Sequence, residues 1–318
     1  MTLTIRTVGV VGTGVIGASW TALFLSHGLK VLVSDPAPGA EDRLFAYLHE
    51  SWPTLKGLGL HENASISNCT FVGESLDDYC SEVDFIQENA PEKPDLKQKL
   101  FALLDAKARK DVVIASSSSG IPSSQFIGEC KNPERVLIGH PFNPPHLMPL
   151  VEVVPHEKTN QVTMDVAMSF YKAMGKSPVL VKQECPGFVA NRLQAALIRE
   201  AYSLVQRGIV SAEDCDTCVS TGVGLRWALT GPFMTNASGG GGGKDGFRQL
   251  LTHLGPALQG WLEDMDSHTF TFSEENIQKL DDSVQDMLER TEIKDVESQR
   301  DKALVDFIKR KKDAPSLK

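Results

Sequence analysis

The sequence predicts an α/β amino-terminal domain followed by an all-α carboxyl-terminal domain. Three observations carry the prediction. A glycine-rich motif sits between two apolar runs at the start of the chain. Short apolar runs then alternate with helical patterns as far as Glu184. From Asn191 onward the pattern is mostly helical.

The opening stretch "RTVGVVGTGVIGASWTALFLSHGLKVLVSD" holds the first elements in order. Val8 to Val11 is an apolar run, and Gly12-x-Gly14-x-x-Gly17 interrupts it. Ala18 to Ser26 follows with helical periodicity, Gly28 stops the helix, and Val31 to Val33 forms a second apolar run ending at Asp35. Strand, glycine motif, helix, strand and terminal acid together make a complete βαβ dinucleotide-binding unit of Rossmann type. Gly12 allows the tight turn, Gly14 lets the backbone approach a pyrophosphate, and Gly17 lets helix and sheet pack closely. Val15 and Ile16 lie between these glycines, where free N–H groups and the helix dipole favour an anion. Asp35 can accept hydrogen bonds from ribose hydroxyls and would repel a 2′-phosphate, and "PAPGAED" after it contains no arginine. NAD is therefore expected over NADP, with FAD a distant third.

The alternation continues down the chain. "DRLFAYLHESWPTLKGLG" reads as an amphipathic helix that Pro53 must break or kink. "VDFIQENAP" reads as a strand ending at Glu88 and Asn89, and "DLKQKLFALLDAKA" as the helix after it. "DVVIASSSSGIP" is a strand running into a serine-rich tip at Ser116 to Ser119, and "RVLIGHPFN" repeats the form. Asp35, Glu88, Ser119 and His140 all fall at carboxyl ends of strands, where open α/β sheets bind ligands.

"GHPFNPPHLMPLVEVV" contains two histidines, four prolines and one glutamate among apolar neighbours. The prolines exclude a continuous helix, so Val136 to Ile138 and Leu150 to Val154 read as two strands joined by a stiff loop. Glu152, a charge among valines, needs a partner.

Composition narrows the classes. The chain has 318 residues, enough for two domains, with 41% hydrophobic and 23% charged residues. A net charge of -9 gives nucleic acid or an anionic membrane no global electrostatic help. "KRKKD" near the end reads as a solvated tail. With no apolar run long enough to span a membrane and no signal-peptide pattern, a cytoplasmic location is expected. The six cysteines are scattered, which suits a reducing compartment. The pair Cys215 and Cys218 lacks the further ligands a zinc site needs, so no metal is expected.

The chain resembles the L-3-hydroxyacyl-CoA dehydrogenase family over most of its length, on "VGVVGTGVIGASW", "IASSSSGIP", "GHPFNPPHLMPLVEVV" and "CPGFVANRL". "SDPAPGAE", "DFIQENAPE" and "GLRWAL" resemble the L-carnitine dehydrogenase subgroup, and "HPFNPP", "GFVANRLQAAL" and "GIVSAEDCD" also the L-gulonate 3-dehydrogenase and lambda-crystallin subgroup. The resemblance implies a catalytic set of Ser119, His140, Glu152 and Asn191. His140 would be the general base, Glu152 would orient its ring, and Ser119 and Asn191 would bond the substrate oxygen. It places Glu88, Ser117 and Asn143 at the cofactor. For Asn191 an N-cap role is the rival reading, and His146 is expected to be structural.

The boundary between the domains is expected at Glu184 and Cys185. The resemblance implies that the helical domain closes the substrate cleft and carries a homodimer contact. Acyl-CoA users in the family carry a longer, lysine-rich insertion after the second strand, whereas Asp35 to Phe71 here holds only Lys56. A small free 3-hydroxy acid is therefore expected, its carboxylate met by Arg226, Lys244 or Arg248, arginine being the better bidentate partner. A CoA ester and a non-catalytic, crystallin-like role stay open as alternatives. "NASGGGGGKDGF" holds five glycines, Gly239 to Gly243, and reads equally as an ordinary loop or a substrate-side one.

Overall fold

The structure is a computed structural model and describes residues 5–314 and 316–317. The chain divides into two compact units, Met1–Arg192 and Leu193–Lys318.

The first unit is built on one eight-stranded sheet of order β3-β2-β1-β4-β5-β6-β7-β8. Its strands are β1 (Thr7–Val11), β2 (Lys30–Ser34), β3 (Cys69–Phe71), β4 (Phe85–Glu88), β5 (Val113–Ser116), β6 (Val136–Pro141), β7 (Leu150–Val154) and β8 (Ser177–Leu180). All neighbours pair in parallel except β6 and β7, which are antiparallel. The connecting helices are α1 (Val15–Ser26), α2 (Ala40–Leu58), α3 (Pro94–Lys107) and α4 (Gln161–Ala173).

Helices on both faces require strands that are apolar on both faces, which is why these strands read as unbroken apolar runs. Side chains alternate between faces along each strand. Val8, Val10, Val113, Ala115, Leu137, Val151 and Val153 share one core with Trp20, Phe24 and Tyr171. Ile114, Val136, Ile138 and Val154 share the other with Phe101, Phe126 and Phe188. By the same alternation, His140 and Glu152 belong to the second face.

Pro53 does not break its helix: α2 runs through it from Ala40 to Leu58. Leu44, Leu48 and Leu55 are buried on either side, and their burial outweighs the one backbone bond the ring removes.

The second unit is helical. Helix α5 (Ala190–Gln206) leads into it, followed by α6 (Ala212–Cys218), α7 (Gly224–Gly239), α8 (Gly246–Ser267), α9 (Glu274–Leu288) and α10 (Ile293–Lys312). The α7 segment covers "GLRWALTGPFMTNASG" as two helical stretches that meet in a kink at Gly231, whose φ of +70° and ψ of 167° are not helical, just before Pro232. Of the five-glycine run, Gly239 ends α7 and the other four lie in the turn before α8. A Cβ on Gly240 would lie 1.9 Å from the Gly246 carbonyl oxygen, so close backbone approach explains at least that glycine. Cys215 and Cys218 lie on α6 as free thiols. Among the described residues, no helix is long and apolar enough to cross a membrane.

Candidate active site

The crevice begins at the turn from β1 into α1. Gly12 has φ +89°, which the tight turn requires. A Cβ on Gly17 would lie 1.8 Å from the Gly12 carbonyl oxygen, whereas one on Gly14 would meet nothing within 4 Å. Gly17 is thus demanded by packing, and Gly14 leaves open space beside the first turn of α1, around Val15 and Ile16. That turn has no side-chain cap and no acidic residue. An uncapped helix N-terminus beside an open glycine suits a pyrophosphate.

Asp35 follows β2, as expected, and also braces this turn. Its Oδ2 accepts from the Thr13 N–H at 2.6 Å and the Thr13 hydroxyl at 2.8 Å, and its Oδ1 accepts from the Ala37 N–H at 2.8 Å. Burial pushes its pKa up, but the bonds from Ala37 and Thr13 outweigh it and hold the carboxyl below its ordinary value. The Oδ1 atom keeps a lone pair for a ribose hydroxyl.

The register of the antiparallel pair sets His140 directly opposite Glu152. His140 Nδ1 and Glu152 Oε2 are 2.8 Å apart, with His140 4% and Glu152 1% exposed. The other carboxylate oxygen accepts from the N–H groups of Val189 and Ala190, each at 2.9 Å. Those donors are aimed by Gly187 and Phe188, which both have positive φ, +73° and +51°. A buried phenylalanine in that conformation is strained, and such strain concentrates at functional sites. Burial raises the Glu152 pKa, but the bonds from His140, Ala190 and Val189 prevail and keep it below the ordinary 4.5. The aromatic rings of Phe142 and Phe188 flank His140 at 5.0 and 5.7 Å. No hydrogen bond is made to His140 Nε2 among the described residues.

Asn191 is the next residue along. It lies inside the first turn of α5, not at its cap, and its Nδ2 donates to the Ser119 carbonyl at 2.7 Å. Ser119 is exposed. Its N–H and its hydroxyl both donate to Glu92, the hydroxyl at 3.0 Å. The four residues of the expected set are thus joined in one chain of bonds. It runs from His140 through Glu152 to the start of α5, then through Asn191 to Ser119. Glu92 extends that chain and is not among the residues the sequence pointed to.

The other residues expected at the cofactor are placed differently. Glu88 does not present its carboxylate to a ligand. It is fully buried, bonded by Lys97 Nζ at 2.8 and 2.9 Å, by the Ser116 hydroxyl at 2.5 Å and by the Ala90 N–H at 2.6 Å. A carboxylate at a strand end satisfied on every side serves to hold the strand tips. The Ser117 hydroxyl is likewise consumed within the protein, accepting from Trp20 and Gln87 and donating to Asn89. Asn143 is exposed in the loop after β6. His146 is buried with its Nδ1 2.8 Å from the Ser19 hydroxyl, consistent with a structural role. Arg226 and Arg248 lie on α7 and α8 of the second unit, exposed and outside any ion pair among the described residues. No metal-binding group of three His, Cys, Asp or Glu occurs among the described residues.

Residues 7–185 match the family model for the 3-hydroxyacyl-CoA dehydrogenase NAD binding domain, and residues 187–255 match the 3-hydroxyacyl-CoA dehydrogenase C-terminal domain. A 3-hydroxyacyl-CoA dehydrogenase of Gibberella moniliformis is 52% identical over 100% of this chain and 98% of its own. An L-carnitine dehydrogenase of Streptomyces coelicolor is 47% identical over 80% of this chain and 79% of its own. Among solved structures, 5-formyl-3-hydroxy-2-methylpyridine 4-carboxylic acid 5-dehydrogenase, an NAD+ dependent dismutase, superposes with a TM-score of 0.77. It is 29% identical and covers 97% of this chain and 99% of its own. With the glycine turn, the uncapped α1 and Asp35 already suited to a dinucleotide, these matches mean that the chain belongs to the 3-hydroxyacyl-CoA dehydrogenase family, as an NAD-dependent oxidoreductase acting on a CH–OH group.

Proposed function

We propose that this protein oxidises the L-3-hydroxyl of a small free 3-hydroxy acid, of carnitine or gulonate type, to the 3-oxo acid. The observation that carries the mechanism is the buried His140–Glu152 pair at 2.8 Å, with His140 Nε2 free of protein partners among the described residues. When bound, NAD supplies the hydride acceptor. His140 Nε2 takes the hydroxyl proton as the hydride leaves the same carbon, and the O–H and C–H electron pairs become the carbonyl and the transferred hydride. Glu152 accepts a hydrogen bond from the Nδ1–H of His140, so Nε2 carries the lone pair, and the carboxylate's negative charge stabilises the imidazolium that forms. The second amide proton of Asn191 Nδ2 serves the substrate oxygen. Ser119 joins it by turning its hydroxyl away from Glu92.

The free-acid reading rests on charge. Helix α2 opens with Glu41 and Asp42 and has Lys56 as its single lysine, a poor setting for the phosphates of CoA. Arg226 and Arg248 are the cations proposed for the carboxylate. The L-carnitine dehydrogenase relatives support this reading, and the 52% identical relative favours the second one, a CoA ester. A homodimer through the second unit is also proposed. Leu251, Leu254, Leu258, Trp261 and Leu262 form a stripe along α8, each 42–62% exposed, and sedimentation of the wild type against Leu258→Asp tests it.

The deciding assay follows NADH formation with L-carnitine, L-gulonate, L-3-hydroxybutyrate and L-3-hydroxybutyryl-CoA, for wild type and His140→Ala. Turnover of a free acid that the substitution abolishes is expected. Turnover of the CoA ester alone would overturn the substrate reading, and an active His140→Ala protein would overturn the mechanism.

A further inference from the structure

Lys176 is a buried lysine with no acidic partner. It follows α4 and Gly175 and precedes β8, and it is 7% exposed. Among the described residues, no carboxylate comes within ion-pair distance of its ammonium. Its Nζ instead donates to the carbonyls of Pro145 and Met148, the latter at 2.9 Å, and lies 5.4 Å from the Trp20 ring. Burial without a counter-charge is costly and pushes its pKa down to about 7.

The loop it touches is short of donors. Residues 141–149 include four prolines, so nine carbonyls share five N–H groups. Leu147 and Met148 both spend their N–H on the Pro144 carbonyl, and His146 spends its own on the Ser19 hydroxyl. Donors for the far half of the loop must come from elsewhere. Two consecutive residues supply them: Lys176 for Pro145 and Met148, and the Ser177 N–H for the Pro149 carbonyl at 2.8 Å. The Lys176 N–H is itself anchored to the Tyr171 carbonyl at 3.0 Å, at the end of α4. The loop so held starts one residue after His140. It carries Phe142, against the His140 ring, and Asn143, and it ends three residues before Glu152.

We propose that Lys176 is a positioning residue for the reaction: its side chain clasps the 141–149 loop and thereby sets where His140 and Asn143 stand, without touching substrate or cofactor. The proposal rests on His140 being the base. Two N–H groups meet two carbonyls, so the clasp works in both the ammonium and the amine form. The loop does not include the glycine turn at β1 or Asp35, so loss of the clasp should weaken dinucleotide affinity far less than it slows the reaction.

The test uses the full chain with Lys176→Met and Lys176→Arg. In Lys176→Met, kcat on the substrate the wild type turns over is expected to fall by about tenfold to a hundredfold, as for a small misplacement of a catalytic group. The Kd for NADH, read by fluorescence, rises by less than about fivefold, well short of the fall in kcat, because Asn143 is only one of the expected cofactor contacts. The Tm stays within about 4 °C, because relief of the buried charge offsets the two carbonyls left unpaired. Hydrogen exchange accelerates by about tenfold or more in peptides covering 142–150 and not in those covering β1 and α1. Lys176→Arg, which keeps a donor-rich cation, recovers most of the lost kcat. Wild-type kcat in Lys176→Met, a matching loss of kcat and NADH affinity, or exchange that accelerates across the whole unit would each overturn the proposal. Should the wild type turn over none of the four substrates, the substrate reading fails, and unchanged exchange at 142–150 alone still sinks the clasp.

Discussion

Replacing Glu152 by glutamine keeps the shape of the side chain and removes one acceptor. The two N–H groups of Val189 and Ala190 both reach one carboxylate oxygen, at 2.9 Å each. In Glu152→Gln that position must hold the amide oxygen, so the NH2 group faces His140. There it donates to Nδ1 and drives the imidazole proton onto Nε2, the atom required as base. Flipping the amide restores the useful tautomer but sets its NH2 against two buried donors. At roughly 1–3 kcal/mol for each lost bond, that costs about 2–6 kcal/mol, a factor of roughly 30 to 25,000. Loss of the negative charge beside the forming imidazolium adds to it. A fall in kcat of about 10³–10⁴ is expected, its upper end matching the roughly 10⁴ lost on the corresponding Asp-to-Asn exchange in a serine-protease triad.

The assay is NADH formation at saturating NAD over a range of pH, with Tm measured alongside. Because the amide keeps a partner on both sides, Tm should move by only about 4 °C or less. Glu152 also leaves a signature in acid. Its folded pKa lies below the ordinary 4.5, so its contribution to stability is complete above that value and is lost as pH falls through the folded pKa. Wild type and Glu152→Gln should therefore differ in their acid unfolding only below about pH 4.5. A variant retaining more than about a tenth of wild-type kcat would refute the tautomer argument.

Gly17→Ala places a Cβ 1.8 Å from the Gly12 carbonyl oxygen, so α1 must shift. NADH affinity should fall by about tenfold or more, with a Tm lowered by roughly 4–8 °C; unchanged affinity by fluorescence titration would contradict the packing role. Asp35→Asn removes the charge expected to repel a 2′-phosphate, so the NAD/NADP ratio of kcat/KM should drop by about a hundredfold, and an unchanged ratio would remove Asp35 from cofactor choice. Lys176 titrates at about 7 when folded against 10.5 ordinarily, so the unfolded chain binds the extra proton between those values. Stability should rise with pH across that window by on the order of 4 kcal/mol, and Lys176→Met should abolish the rise in denaturant melts.

The parts legible in the sequence are those where local pattern and tertiary role coincide. Gly12, Gly14, Gly17 and Asp35 sit in a spacing that only a βαβ turn satisfies, and the structure places them in one. The apolar runs ending in polar residues marked β4, β5 and β6 because a two-sided sheet needs such runs. Glu88 ends such a run too, but nothing in the pattern shows that its carboxylate is met by Lys97. In the structure that lysine is 1% exposed and bonded to both oxygens of Glu88. Glu92 and Lys176 escaped because their partners are backbone or loop atoms far along the chain, and no residue type announces a carbonyl in need of a donor. Local propensity scores Gly231 and Pro232 against a helix, and α7 is indeed kinked there into two helical stretches.

The His140–Glu152 pair shows how topology converts a sequence interval into a site. Up to β6 the sheet is parallel, and a parallel neighbour can be reached only through a crossover of a dozen or more residues. A partner delivered that way would depend on how a helix packs. The reversal at β7 makes it depend on register alone, with His140 opposite Glu152 and Gly139 opposite Val153. A slip of one residue would turn Glu152 to the face occupied by Val151 and Val153 and place a valine beside the imidazole. That face is packed against Trp20, Phe24 and Tyr171, where an unpaired carboxylate has no acceptable place, so the core itself enforces the register. The prolines of the intervening loop, and the lysine that supplies its missing donors, stiffen the one connection whose length decides whether His140 and Glu152 meet.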